Sequence, residues 1–347
     1  MIPASRWSVL LLLPVLAATP GCGTIARWQA QHQDASLRRE QVDAARAESK
    51  AAHAMSRQSA QREAQMRRLQ RALVTAGTPD ALAAAALIER LLMGPDSAAA
   101  LDLAARGAAG APGRPELAFV QLQLCESAPG CEAGPLETHL QQLDPPNGIA
   151  WTYALARAAQ QNDGPAWQAA RAGLAAAQRV DLYWNRIVAR LAAAMAGKAG
   201  LDATTAMIDV IGMEAAFEPA LQPVTRACLG QEEPAPQVLA ECRRIAAALR
   251  HGDTTLVEAF GTGLALRLWP AGSAESREVA VERRALRYRI DLMGRNAKLL
   301  NSPAAMHLLV PLLTRYPCEQ AALRAQYVQL GLDPDPPATW QDPGAGG

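Results

Sequence analysis

Aromatic residues are scarce in this chain of 347 residues: three Phe, five Tyr and seven Trp make up 4% of it. A core with so few large rings must be filled by backbones that approach closely, and the dominant alanine allows that approach. No run of alternating β-branched residues is present, which argues against a sheet. The five histidines, His32, His53, His139, His251 and His307, show no metal-ligand spacing and no His-Glu-x-x-His. There is no Gly-x-Ser-x-Gly elbow, no Ser-x-x-Lys pair and no phosphate-cradling loop. Gly261-Thr262-Gly263 has neither a third glycine nor a preceding strand, and reads as small residues that let helices pack closely. No catalytic residue, metal or cofactor is therefore expected, although an enzyme whose groups converge only in three dimensions stays open. The net charge of +1 gives no reason to expect nucleic acid as a partner.

Proline and glycine are both missing from residues 27–76. Ala, Arg, Gln and Glu fill the stretch and favour helix. It carries ten basic and five acidic side chains, whereas residues 77–347 carry twenty-three basic and twenty-eight acidic. Its apolar positions are sparse, and Glu48, Ser59 and Arg62 fall on the seam that a coiled coil would need. Residues 23–76 read as a basic, exposed helical spacer.

Ahead of it, Arg6 supplies a positive start and Trp7 to Ala18 an apolar run, the pattern of a secretory signal over 1–22. The run is shorter than the roughly 20 residues a membrane-spanning helix needs. Gly21-Cys22 resembles the end of a bacterial lipobox, with Thr19 and Pro20 standing where a Leu and a small residue are usual. The resemblance implies lipidation of Cys22 and a membrane anchor; cleavage near Gly23 without lipidation is the alternative. Gly23, rather than Asp, after the cysteine fits the sorting pattern of outer-membrane lipoproteins. The expectation is an exported protein, on the periplasmic face of the outer membrane if lipidated and otherwise periplasmic.

Two cysteine pairs flank turn-forming residues. Cys125 and Cys131 enclose Ala128-Pro129-Gly130, and Cys228 and Cys242 enclose Gly230 and Pro234-Ala235-Pro236. Leu221, Val224 and Cys228 share one helical face, as do Val238, Cys242, Ile245 and Leu249, so antiparallel helices would bring the second pair together. Disulfides are expected in an oxidising periplasm, and buried free thiols are the alternative. Cys318, after Tyr316-Pro317, is left over as a buried thiol at a helix start.

From 77 to 332 the chain reads as an all-α body. Thr78-Pro79, Arg114-Pro115, Gly164-Pro165, Ser302-Pro303 and Tyr316-Pro317 place proline where a first helical turn tolerates it. Between them apolar residues recur at helical spacing, as in Trp151, Ala154, Leu155 and Ala158, or Trp184, Ile187, Val188, Leu191 and Met195. Trp151, Trp167 and Trp184 read as packing between neighbouring hairpins, and His307 as a satisfied core histidine. Leu140 to Leu174 resembles a tetratricopeptide hairpin: Asp144-Pro145 ends one unit, Trp151 lies in the next first helix, and Asn162-Asp163 replaces the usual Gly-Asp turn. Gly252-Asp253 makes a second such turn. Leu155, Ala158 and Trp167 depart from the pattern, so the resemblance implies an irregular, tetratricopeptide-like α-solenoid of antiparallel helical hairpins that displays a surface to protein partners.

Residues 273–300 form the most regular helix, with an apolar seam at Val279, Leu286, Ile290, Met293, Ala297 and Leu300. It also carries Arg277, Arg283, Arg284, Arg287, Arg289, Arg295 and Lys298. Arg283, Arg284, Arg287, Arg295 and Lys298 are a candidate interaction face for an acidic partner or an anionic cell-wall polymer; a solvated face offset by Glu278, Glu282 and Asp291 is the plainer alternative. Pro311 should kink or end the following helix. The Pro-, Gly- and Asp-rich tail 333–347 is expected to be disordered. The functional expectation is a non-enzymatic scaffold of the cell envelope that binds protein partners there, with polymer binding through 275–300 and an unrecognised envelope enzyme as alternatives.

Overall fold

The computed structural model describes residues 56, 58–217, 221–230 and 233–342. The chain divides into two units, 1–62 and 63–347. Of the first, only residues 56 and 58–62 are described, all helical. The signal segment with Cys22, and most of the spacer, lie outside the described residues.

The second unit is all-helical, with no strand among its described residues. It opens with α1 (63–76), whose Met66, Leu69 and Leu73 are buried in the main core. The body therefore begins before residue 77, because the spacing of these three residues lays one apolar stripe against it. Next come α2 (Pro79–Met93), α3 (Ala98–Ala109), α4 (Pro115–Glu126) and α5 (Ala133–Leu143). They are followed by α6 (Ile149–Gln161), α7 (Gly164–Ala176), α8 (Trp184–Met195) and α9 (Ala203–Glu214). The remainder is α10 (Gln222–Leu229), α11 (Pro236–Arg250), α12 (Thr255–Leu268), α13 (Ala274–Arg295), the short α14 (Ala297–Leu300), α15 (Pro303–Arg315) and α16 (Glu319–Gln329).

The helix starts follow local chemistry. Thr78, Ser97, Asp163, Asp202, Thr254, Ser273 and Ser302 each accept a hydrogen bond from the backbone N–H three residues on. Each bond satisfies a donor that the first turn leaves without an intrahelical acceptor. The α6–α7 turn has Asn162 at φ 53°, a left-handed conformation that Asn tolerates. Trp151 of α6 lies directly over Gly173 of α7, where a Cβ would come within 2.5 Å of the indole. Helix α15 continues through Pro311 to Arg315 rather than ending there.

Consecutive helices pair as hairpins, but the chain also folds back on itself. Helix α2 meets α8 and α9, α8 meets α15, and the α6–α7 hairpin packs against α10 and α11. The α8–α9 hairpin, between those two in sequence, packs instead against α2 and α15. One core cluster runs from Met66 to Ala322, and a smaller one gathers Tyr288, Leu292, Leu300 and Tyr327.

Both cysteine pairs stand at disulfide distance, with Cα–Cα 5.4 Å and sulfurs 2.04 Å apart for Cys125–Cys131 and 2.10 Å for Cys228–Cys242. Where composition predicts disorder, residues 333–342 lie along α13: Trp340 meets Tyr288 edge-on and its indole N–H donates to Asp291 at 3.2 Å. Residues 343–347 lie outside the described residues.

The α11–α12 hairpin depends on a close approach. A Cβ on Gly261 would stand 2.5 Å from the Arg250 nitrogen and from the Leu249 carbonyl carbon, whereas one on Gly263 meets nothing within 4 Å. Gly261→Ala should lower unfolding stability by about 1–3 kcal/mol through overpacking. Gly263→Ala should raise it by up to about 1 kcal/mol, because alanine is the better helix former. Denaturant melts of the two variants check the pair, and equal effects would contradict the packing.

Candidate functional site

Asp253, in the turn between α11 and α12, is buried and accepts two backbone N–H bonds, one from the loop before α8 and one from the first residue of that helix. Leu182 donates to Oδ1 at 2.7 Å and Trp184 to Oδ2 at 2.9 Å. Its own carbonyl accepts from the Glu319 N–H at 2.8 Å, at the start of α16. Glu319 answers by accepting the Thr255 N–H at 2.7 Å. Gly252 is required beside it, since a Cβ there would lie 2.3 Å from Val257 Cγ1 and 2.9 Å from the Val180 carbonyl oxygen. Three segments far apart in sequence are thereby fixed to one another.

A second layer of polar contacts holds the same loop from behind. Asn147 donates to the Asp181 carbonyl and accepts the Asp181 N–H, each at 2.9 Å. Arg179 and the Tyr183 hydroxyl both donate to Asp144. Tyr183 itself is fully buried with φ 57°, an uncommon conformation for a bulky residue. Its N–H donates to Asp181 at 2.6 Å, a bond that helps hold the conformation.

In front of this polar floor opens a cleft of about 450 Å³. Leu182, Trp184, Thr254, Thr255 and Glu319 come from the three tied segments. Gln123 comes from α4, Glu214, Ala215 and Phe217 from the end of α9, and Ile290 and Met293 from α13. Leu256, Ile290 and Met293 are 56%, 40% and 41% exposed, an apolar group on the surface rather than in a core. The apolar seam predicted on 273–300 thus divides: Val279, Leu286 and Leu300 are buried, while Ile290 and Met293 face this cleft.

Two polar side chains in the cleft are buried with an acceptor unanswered. Glu214 Oε1 and Gln123 Oε1 have no hydrogen-bond partner. Burial pushes the Glu214 carboxyl up to about 7, partly opposed by the neighbouring Gln123 side chain. Burial also raises Glu319, against the stabilising bonds from Thr255. Asp253 is raised well above the usual carboxylate range, first by burial and then by the neighbouring Asp181. Arg90 stacks over the Phe217 ring at 4.3 Å and donates to the Ser127 hydroxyl.

The sequence-predicted basic face lies on α13, and most of it is engaged within the molecule. Arg284 donates to the carbonyls of Pro337 at 2.8 Å and Trp340 at 2.9 Å. Arg287 pairs with Asp342, Arg289 with Glu258 and Arg295 with Asp291, each at 2.9 Å. Glu278 and Glu282 do not offset these arginines; they hold Arg250 of α11. Arg283 and Lys298 are exposed, with no ion pair found among the described residues. His307 is exposed and bonded to Thr204 at 3.1 Å, so it is not a core histidine: α15 turns that position to solvent. Trp151, Trp167 and Trp184 all pack against the core, and Trp184 also lines the cleft. Burial raises the Cys318 thiol, outweighing the backbone bond at the start of α16. Among the described residues no three His, Cys, Asp or Glu side chains are grouped to hold a metal ion.

The Glu214 geometry sets a pH dependence. Its folded-state pKa lies above the ordinary 4.5, so its stabilising contribution is complete below about pH 4.5 and is lost as pH rises through about 7. Fully ionised, the buried carboxylate costs about 3 kcal/mol. Glu319 and Asp253 act in the same direction. Glu241, lowered by Arg171, titrates below this window. Denaturant unfolding should show lower stability at pH 8 than at pH 5.5, and Glu214→Gln should flatten the fall. Parallel curves for variant and parent would contradict the assignment.

Comparison of the chain with protein-family models, with curated proteins and with solved structures gives no match. The functional reading rests on the geometry of the cleft.

Proposed function

We propose that this chain is a non-enzymatic binding scaffold of the cell envelope, in which the cleft beside α13 receives an apolar segment of a partner protein. The single observation that carries this reading is the exposed group Leu256, Ile290 and Met293 at the mouth of a cleft floored by fixed backbone. Apolar side chains gathered at a concave surface gain most from a partner that removes them from water. Two cysteine pairs at disulfide distance support an oxidising compartment. On this reading the 1–22 segment exports the chain, Cys22 carries a lipid that anchors it to the outer membrane, and the body faces the periplasm. The helical hairpins form an irregular tetratricopeptide-like solenoid bent back on itself, with α6–α7 as its most regular unit.

A second reading has an observation behind it. Glu214, held near pH 7 in a cleft that also contains Glu319, has the pKa a general acid or base needs. Product release from purified peptidoglycan, abolished by Glu214→Gln, would replace binding by acid–base chemistry. Polymer binding through 275–300 is the weaker alternative, since Arg284, Arg287 and Arg295 are already engaged.

Crosslinking in intact cells, with purification through a C-terminal tag, tests the scaffold. A reproducible partner set is expected from the parent chain. It should change for Cys22→Ser, which removes the anchor, and disappear for Met293→Glu, which puts charge at the cleft mouth. No partner in the parent, or the same set in all three, would overturn the proposal.

A further inference from the structure

The cleft is not uniformly apolar, and its polar part has one sign. The two charged groups lining it are the carboxyls of Glu214 and Glu319, and no Lys or Arg lines it. Glu319 is answered by the Thr255 N–H, while Glu214 Oε1 and Gln123 Oε1 are buried acceptors with no donor. Gln123 and Glu214 are neighbours in the cleft wall, with these two oxygens sealed just behind its surface. The basic groups nearby are committed elsewhere: Arg289 to Glu258, and Arg90 to Ser127 and the Phe217 ring. A ligand for this site therefore brings donors and positive charge on an apolar stem.

Resting on the binding reading above, we infer that the cleft recognises a lysine side chain within an apolar stretch of the partner. The ammonium goes to Glu214 and Gln123, and flanking apolar residues lie on Leu256, Ile290 and Met293. An ammonium offers three donors and no acceptor, which matches a wall with two carboxyls, two unanswered acceptor oxygens and no cation. Its methylene stem is covered by the apolar walls while the charged end reaches the carboxyl, as long cationic side chains are built to do. Ion pairing inside such a cleft favours the ionised form of Glu214, so entry of the ammonium drives the carboxyl to release its proton.

Three capped peptides test this against the purified full chain: acetyl-Leu-Lys-Leu-amide, its norleucine counterpart, which lacks only the ammonium, and its glutamate counterpart. Binding is followed by NMR through the amide signals of Thr255 and Phe217. The lysine peptide should bind at least tenfold more tightly than the norleucine peptide, and the glutamate peptide least. Glu214→Gln, confirmed folded by its melt, should bring the lysine peptide down to the norleucine level. Equal affinities in the parent, or a lysine preference that survives Glu214→Gln, would overturn the head-group assignment while leaving an apolar docking cleft. No binding by any peptide would also overturn it; the in-cell crosslinking of the Met293→Glu chain judges the scaffold separately.

Discussion

The arrangement turns on one buried carboxyl. Asp253 accepts the N–H groups of Leu182 and Trp184, and its backbone carbonyl accepts that of Glu319. These donors come from loops and a helix start, where no intrahelical acceptor is available. Inside the protein such groups are costly unless paired, so a single side chain that pairs two of them sets the register of the loop. The segments it ties together supply Leu182, Trp184, Thr254, Thr255 and Glu319 to the cleft, which makes that part of the candidate site a consequence of backbone hydrogen bonding.

Around that hub the body is held by close approach rather than by large side chains. Trp151 rests on Gly173, Gly261 lets α12 reach the backbone of α11, and α2 is buried along a run of alanines from Ala83 to Ala86. Small residues bring helix axes together, and dispersion then acts over many short contacts. Phe119 with Tyr153 and Tyr183 forms an aromatic centre, at centroid distances of 6.0 and 5.6 Å. Tyr183 joins this centre to the polar layer through Asp144.

Local features were legible in the sequence because their causes are local. Capping residues and prolines marked the helix starts, Asn162-Asp163 marked a hairpin, and the spacing of Cys228 and Cys242 about a turn placed them opposite each other. The α13 face was not legible in the same way. Its arginines looked available because Asp342 and the carbonyls of 337 and 340 lie some 50 residues on, in a tail whose composition suggests disorder. The cleft was less visible still: Gln123, Glu214 and Glu319 are about 100 residues apart and share no spacing. The one local signal was Glu214 itself, a carboxylate closing the short apolar run that begins at Val210. Asp253 read as half of a turn, since nothing near it in sequence announces the donors it receives.

The most direct measurement is native-state hydrogen exchange on Asp253→Ala, followed at the amides of Leu182, Trp184 and Glu319. The two amides that lose the carboxylate should exchange much faster, with global stability lower by about 2–4 kcal/mol because two buried donors are left without acceptors. Glu319, whose acceptor is the backbone carbonyl, should lose protection only as the turn loosens. Unchanged protection at Leu182 and Trp184 in a variant of parental stability would contradict the account, because the cleft floor would then stand without the carboxyl.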